Sequence, residues 1–312
     1  MKGMELSRAY FEEYGKPLID TRLLQYRPYI AAGLVGEGSE CLGFDDDIST
    51  DHDFGPAFCI WVPEWLYQQA GAELKSAYDS LPAEYHGYRR IPSAQGGGRV
   101  GVISAEGFYR KFTGMSKAPQ DNMEWFRIPE RFLATVTSGE VFVDYLGMFS
   151  QIRAALKEFY PEDVLKKKLA ARCAVMAQAG QYNYGRCIKR GDSQAAYLAC
   201  GEFIRTAMSA VYLLNEAYMP YYKWVFKGAA RFNILKDAVQ LITELTQIVD
   251  RPENAGYKMQ VIEKVCISVG NELNRRGFTR STDAFLQVHG EELMRSIHDA
   301  RLKNLHIMAD FD

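Results

Sequence analysis

GEGSECLGFDDDISTDHDFG, residues Gly36–Gly55, is the stretch on which the reading of this chain turns. It follows directly on Tyr29–Val35 (YIAAGLV), a short apolar run bounded by glycine, and that pattern predicts a β-strand. A strand ending in Gly38-Ser39 exposes backbone N–H groups where a helix begins. Those donors, with the Ser39 hydroxyl and the dipole at the helix N-terminus, suit an anionic triphosphate. Glycine at position 38 allows close backbone approach and dihedrals that other residues avoid. Further on, Asp51-His52-Asp53 leads into a second apolar run, Phe54–Val62. Alternate residues of a strand share a face, so the Asp51 and Asp53 carboxylates project together and His52 points away. Two hard oxygen ligands side by side suit Mg²⁺ or Mn²⁺, which in turn bridges nucleotide phosphates. A calcium loop fails here, because Gly55 would demand ligands at Thr50, His52 and Phe54.

Outward from this stretch, Arg99–Ser104 and Glu140–Asp144 are further strand candidates. Met4–Tyr14, Pro63–Ser80 and Ala105–Phe112 read as helices, and Gln95-Gly96-Gly97-Gly98 as a turn. Beyond residue 150 the strand signals cease. Glu162–Ala179, Ser193–Tyr218, Ile234–Val249, Tyr257–Arg275 and Thr282–Lys303 repeat apolar residues at helical spacing, the pattern of a packed bundle. Ser193 stands as a cap before its helix and Gly277 follows another. The expectation is an α/β (α+β) domain at residues 1–150 and an all-helical bundle domain at 151–312, a division that suits a chain of this length.

Bulk properties narrow the function. Thirty-seven basic against 39 acidic side chains leave a net charge of −2, which disfavours a general nucleic-acid binder. No apolar run is long enough to span a membrane, and the start MKGMELSRAYFEEYG has no apolar core of a secretory signal. Cys41, Cys59, Cys173, Cys187, Cys200 and Cys266 are dispersed without metal-ligand spacing, so free thiols in a reducing cytoplasm are expected.

The order strand, Gly38-Ser39, Gly43, then Ser49-x-Asp51-x-Asp53 into a second strand resembles the nucleotidyltransferase superfamily. Within it, the chain resembles bacterial proteins carrying the DUF4037 domain of unknown function, on GLVGEGSECLGFDDDISTDHDFG (Gly33–Gly55), GQYNYGRCIKRG (Gly180–Gly191) and NEAYMPYYKWVFK (Asn215–Lys227). A helical domain after the core is similar to that of aminoglycoside nucleotidyltransferases and their minimal relatives. The resemblance implies transfer of a nucleoside monophosphate from a Mg²⁺-bound nucleoside triphosphate, ATP being the expected one. The acceptor would be a hydroxyl of an unidentified small molecule or protein. Asp51 and Asp53 would be catalytic and hold the metal, Gly38 and Ser39 would hold the phosphates, and Glu202 would be the general base for the acceptor.

Active members usually carry a third carboxylate on a later strand. The strand expected to bear it, Arg99–Ser104, has none. Asp144 and, behind it, Glu106 are the candidates to complete the metal set, and Asp144 also reads as a cap for the helix beginning near Gly147. The gap admits an alternative, a catalytically silent nucleotide-binding or partner-binding protein on the same scaffold. In the helical half, Lys223 in Pro220-Tyr221-Tyr222-Lys223-Trp224 is a candidate cofactor-binding residue, since aromatic faces with a lysine can stack a base. The polar, aromatic Gln181–Arg190 reads as a binding loop, and Lys166-Lys167-Lys168 as a solvated helix face. Pairing with Arg205 or Lys223 in a structural network is the plain alternative for Glu202.

Overall fold

The computed structural model describes residues 1–50, 54–90 and 98–312. The chain forms two compact units, one of Met1–Ala118 with Phe132–Glu158 and one of Pro119–Arg131 with Phe159–Asp312. These bounds differ from a simple division at residue 150. Pro119–Arg131, read from the sequence with the N-terminal half, belongs to the second unit.

Among the described residues the first unit holds six strands: β1 (Ala31–Leu34), β2 (Cys59–Val62), β3 (Glu84–Tyr85), β4 (Tyr88–Arg89), β5 (Gly101–Ser104) and β6 (Glu140–Asp144). Four of them make a mixed sheet in the order β5-β2-β1-β6. β2 and β6 run antiparallel to β1, and β5 runs parallel to β2. All residues of β1 and β2 are buried, as central strands covered on both faces require. Alternation along β2 divides the core. Ile60 and Val62 join Leu6, Tyr10, Phe11 and Leu74 on one face. On the other, Trp61 stacks on Phe149 with ring centroids 4.0 Å apart.

The four strands foreseen at Tyr29–Val35, Phe54–Val62, Arg99–Ser104 and Glu140–Asp144 are present, three of them trimmed at their N-terminal ends. Before β2 the chain is held by Gly55, at φ +136°, and by Pro56, which has no N–H to give a ladder. The β3–β4 hairpin went unread because its turn is His86-Gly87, with φ of 50° and 77°. That is the left-handed pair a two-residue hairpin needs, but histidine rarely signals it.

Among the described residues the second unit contains helices and no strand. Its longest helices are Ser193–Leu214 and Pro252–Arg275, and the Glu162–Met176 helix lies in its interior. Lys166, Lys167 and Lys168, expected on a solvated face, are all buried. Lys166 pairs with Glu162 at 2.6 Å, and the final residues of the chain explain the other two. Lys167 Nζ donates to the carbonyls of Ile307 (3.0 Å) and Ala309 (2.7 Å), and Lys168 Nζ to the carboxylates of Asp310 (2.9 Å) and Asp312 (2.8 Å). Partners that far along the chain are invisible to helical periodicity. Gln181–Arg190 is likewise not a loop: Ala177–Tyr184 is π-helical and runs into the helix Gly185–Lys189. A Cβ on Gly180 would stand 2.3 Å from the Phe203 ring, so glycine lets two helices touch there. Thr282–Lys303 breaks into Leu286–Ser296 and Ala300–Lys303, with Asp163 accepting the freed N–H groups of His298 and Asp299. The cap of the Ser193–Leu214 helix is Asp192, which accepts from the Ala195 N–H at 2.9 Å, and Ser193 is the first helical residue.

A buried carboxylate links stability to pH in this unit. Burial pushes Glu130 up from 4.5 to about 7, with Asp312 adding to the rise and Arg172 opposing it. Between those values the folded chain keeps a proton that the unfolded chain has lost, so this group's contribution to stability falls as pH rises from 4.5 to about 7. Glu130→Gln is expected to flatten the pH dependence of the unfolding midpoint across that window. An unchanged slope would mean that Glu130 titrates normally.

No helix among the described residues is long and apolar enough to cross a membrane. All six cysteines are free, and five of them are buried.

Candidate functional site

Strand register sorts the first unit's candidate residues to two ends of the sheet. Leu34 pairs with Glu140 and Gly33 with Cys59, which itself pairs with Gly101. The end of β1 therefore lies beside the starts of β2, β5 and β6. This is the end that carries Gly38-Ser39.

There β1 leaves through Gly36 and Gly38, at φ +125° and +132°, into the short helix Ser39–Leu42, which closes on Gly43 at φ +69°. Gly38 is the N-cap, and no side chain caps the helix. With only four residues, the helix offers orphan N–H groups rather than a sizeable dipole, a correction to the expected source of anion affinity. The turn is pinned from behind. Gly139 N donates to Cys41 O at 2.7 Å and Ser138 Oγ to Gly36 O at 3.0 Å. Arg153, itself buried, holds that neighbour by donating from Nη2 to the carbonyls of Thr137, Ser138 and Gly139 at 2.7–2.8 Å. On the other side, Gly3 N donates to Asp45 Oδ2 at 2.8 Å, tying the first helix to the segment after the turn.

One anion already rests on the turn. The Glu40 carboxylate folds back so far that a Cβ on Gly38 would lie 2.5 Å from its Oε1. It accepts its own backbone N–H. Burial raises its pKa, while that bond and the nearby Arg90 and Arg99 draw it down. Glu40, Arg90 and Arg99 were not singled out from the sequence. The available signal was an acid directly after Gly-Ser, with arginines flanking the glycine-rich segment.

The carboxylates proposed to complete a metal set are elsewhere. Asp144 pairs with Ala31 and Ser104 with Val62, so Asp144 and Glu106 stand at the opposite end of the sheet. Three residue steps along β1 take Ala31 to Leu34, on the order of 10 Å. Both Asp144 oxygens are spent as a cap, accepting from Gly147 N and Ser150 N at 2.8 Å each. Glu106 Oε2 accepts from Glu64 N at 2.8 Å. Asp144 therefore stands away from the Gly38 turn, because β6 runs antiparallel to β1, a direction that sequence spacing does not reveal; the residues with which it was expected to share a metal, Asp51 and Asp53, do not enter this comparison. Beside the turn, β5 is entered through Arg99 and Val100, with no acid. Asp51 and Asp53 lie outside the described residues, as does His52. Among the described residues, no cluster of three His, Cys, Asp or Glu could hold a metal.

Glu202 and Lys223 belong to the second unit. Arg205 Nη2 donates to Glu202 Oε1 at 2.9 Å and holds that carboxyl below its ordinary range, which weakens it as a base. Lys223 is exposed, its Nζ 5.0 Å from the centroid of the Trp224 ring. In the same unit Glu130 is buried with its carboxyl raised, and its Oε1 accepts from Arg172 Nη2 (2.7 Å) and Ser209 Oγ (2.9 Å).

Residues 125–225 match the model of a family described as a domain of unknown function, DUF4037. That span takes in Gly180–Gly191 and most of Asn215–Lys227, two of the three stretches that carry the resemblance in sequence, and leaves out Gly33–Gly55. The chain is also similar to a crystal structure of a nucleotidyltransferase-like protein from Exiguobacterium sibiricum 255-15, at 12% identity and a TM-score of 0.37, over 91% of this chain and 90% of that one. No curated protein matches the chain.

Proposed function

We propose that the first unit binds the phosphates of a nucleoside triphosphate on the Gly38-Ser39 turn, and that the protein transfers the nucleoside monophosphate to an acceptor hydroxyl. The observation that carries this reading is the turn itself. A buried central strand leads into two glycines of positive φ, the N-cap Gly38 offers no side-chain cap, and an anion, the Glu40 carboxylate, lies against Gly38 with Arg90 and Arg99 near enough to lower its pKa. Phosphate oxygens would take the place of the Glu40 carboxylate, with Arg90 and Arg99 offsetting their charge. Asp51 and Asp53 are the residues proposed to hold Mg²⁺ or Mn²⁺, the ion supplying charge neutralisation at the phosphates. The described residues add no third ligand to them. ATP is the proposed nucleotide and the acceptor a small molecule or protein side chain.

Thermal-unfolding midpoints with each of the four nucleoside triphosphates, with and without Mg²⁺ or Mn²⁺, test the site. A ligand at a hundredfold its Kd stabilises by about 2.7 kcal/mol, a shift of several degrees. The shift is expected to be metal-dependent, to vanish in the Asp51→Asn/Asp53→Asn double variant, and to shrink in Gly38→Ala, which cannot hold φ near +132° without strain. Absence of any shift in the wild type would overturn the reading.

A second reading, nucleotide binding without turnover, draws on a specific observation. The acids nearest in sequence to a third metal ligand, Glu106 and Asp144, are spent on helix caps at the far end of the sheet. Metal-dependent binding with no pyrophosphate release across a panel of acceptors would favour it.

A further inference from the structure

A cavity of about 360 Å³ opens in the first unit between β6 and the helix Met148–Lys157. That is within the size range of small-molecule sites. One wall is Gly139, Glu140 and Val141, at the start of a strand that stands at the edge of the sheet. The other is a single face of the helix, Ser150, Arg153, Ala154 and Lys157. Those positions follow the helical repeat, so their side chains rise on the same side.

Arg153 is the deeper of the two cations on that face, at 9% exposed. Its Nη2 alone makes the three bonds to the carbonyls of Thr137, Ser138 and Gly139 that hold the chain behind the Gly38 turn. Nε is enclosed by protein and bonds nothing among the described residues, so no ligand reaches it. Nη1 also bonds nothing among the described residues but is not enclosed, and it is the corner of the guanidinium open to a ligand. Burial lowers the Arg153 pKa, with Tyr109, Cys41 and Glu140 opposing, and no ion pair among the described residues neutralises the group. An arginine stays charged even so. Lys157 stands one turn further on, exposed, its ammonium without a hydrogen-bond or ion-pair partner among the described residues. Burial and then Arg153 lower its pKa, as like charges facing one gap require. Like charges four residues apart on a helix repel, and no anion of the chain comes between these two. Ser150 completes the face, its hydroxyl likewise unbonded among the described residues.

The acids around the cavity are already engaged. Glu140 pairs with Arg8, and both Asp144 oxygens accept backbone N–H groups. With Arg8 counted, three cations meet two carboxylates, so the surplus charge is positive. We propose that this cavity binds a small phosphate monoester, its phosphoryl group held by Arg153 Nη1 and Lys157 Nζ. Two cations suit a group that carries nearly two negative charges at neutral pH better than they suit a single carboxylate. The body of the ester lies along Ser150 and the outer edge of β6, whose backbone groups and hydroxyl suit a hydroxylated molecule. This site is distinct from the Gly38-Ser39 turn and stands whether or not that turn binds nucleotide.

Glycerol 2-phosphate, inorganic phosphate and glycerol, titrated calorimetrically into the full chain at low salt, test the proposal. The ester is expected to bind, inorganic phosphate to bind several-fold more weakly, and glycerol not to bind. Lys157→Gln should weaken the ester by about tenfold through loss of a charge-assisted contact, and Lys157→Arg should retain it. The unfolding midpoint of Lys157→Gln should move little, because relief of repulsion from Arg153 and loss of a cation at the helix C-terminus oppose each other. Gly38→Ala, which strains the nucleotide turn, should leave the affinity for the ester unchanged. Failure of the ester to bind, inorganic phosphate binding as tightly, wild-type affinity in Lys157→Gln, or a loss in Gly38→Ala in its place would each overturn the proposal. Absence of a nucleotide-induced shift in the wild type would sink the nucleotide reading and leave these outcomes unaltered.

Discussion

Lys168→Met is expected to destabilise the protein by about 3–5 kcal/mol, the loss that follows when one partner of a buried ion network is removed. Methionine matches the lysine stem but not its charge. Lys168 is fully buried, and its ammonium bonds Asp310 and Asp312 at 2.9 and 2.8 Å. Without it, two carboxylates and Glu130 share Arg172 alone. Lys168 and Arg172 hold Asp310 and Asp312 below the usual carboxylate range despite their burial. Such groups contribute stability that is present above their unfolded value of 3.8 and is lost as pH falls through the folded one. In the variant that acid limb therefore moves to higher pH. Denaturant unfolding at neutral pH, repeated down to about pH 4, measures both effects. Adding Asp310→Asn and Asp312→Asn to Lys168→Met should return part of the loss, because a neutral set costs less than an unbalanced one. A loss below about 1 kcal/mol for Lys168→Met would place the ammonium in contact with water and sink the argument.

Gly139→Ala is expected to cost about 3 kcal/mol or more, from overpacking and an unfavourable φ together. Its Cβ would lie 2.1 Å from Leu34 O and 2.9 Å from Val35 Cα, and its φ is +71°. Both neighbours are backbone, so no side chain can swing aside. Relief requires β6 to draw away from β1 where the Gly38 turn begins, and with it goes the bond from Gly139 N to Cys41 O. Gly147→Ala is the control, since its φ is +77° with nothing within 4 Å of the added carbon. It should show the backbone cost alone, about 1–2 kcal/mol. If the two variants lose equal stability, steric contact at Gly139 is not what holds the turn. If nucleotide binding is found, Gly139→Ala should also weaken it, because the turn loses its support from behind.

Much of the first unit was legible because its signals are local. Apolar runs bounded by glycine, proline or aspartate gave the four sheet strands, and Gly38 announced a backbone that other residues cannot follow. Its φ of +132° bears that out, and Gly36 and Gly43 on either side share a positive φ. Long helices were legible for the same reason, since apolar spacing marks a buried face whatever it packs against. The hairpin at Glu84–Arg89 escaped because its strands are two residues each and its turn opens on histidine. Gln181–Arg190 was misread as a loop since polar residues and two glycines look like a break, while Gly180 in fact serves close helix packing.

The candidate sites divide along the same line. What the sequence determined by itself is the presence of a strand–Gly-Ser–helix turn, the helical character of the later residues, and the lack of an acid in Arg99–Ser104. Each is a property of neighbours in the chain. Tertiary structure alone decided which groups share a place. Strand direction sent Asp144 and Glu106 to the end of the sheet away from Gly38, and brought Arg90 and Arg99 within electrostatic reach of Glu40. It likewise buried Lys166–Lys168, expected on a solvated face, with Lys167 and Lys168 holding the last residues of the chain, and made Glu130 more deeply buried than Glu202. Burial and charge pairing depend on residues more than a hundred positions apart, such as Lys168 and Asp312. A local pattern carries no information about that separation until the chain has folded.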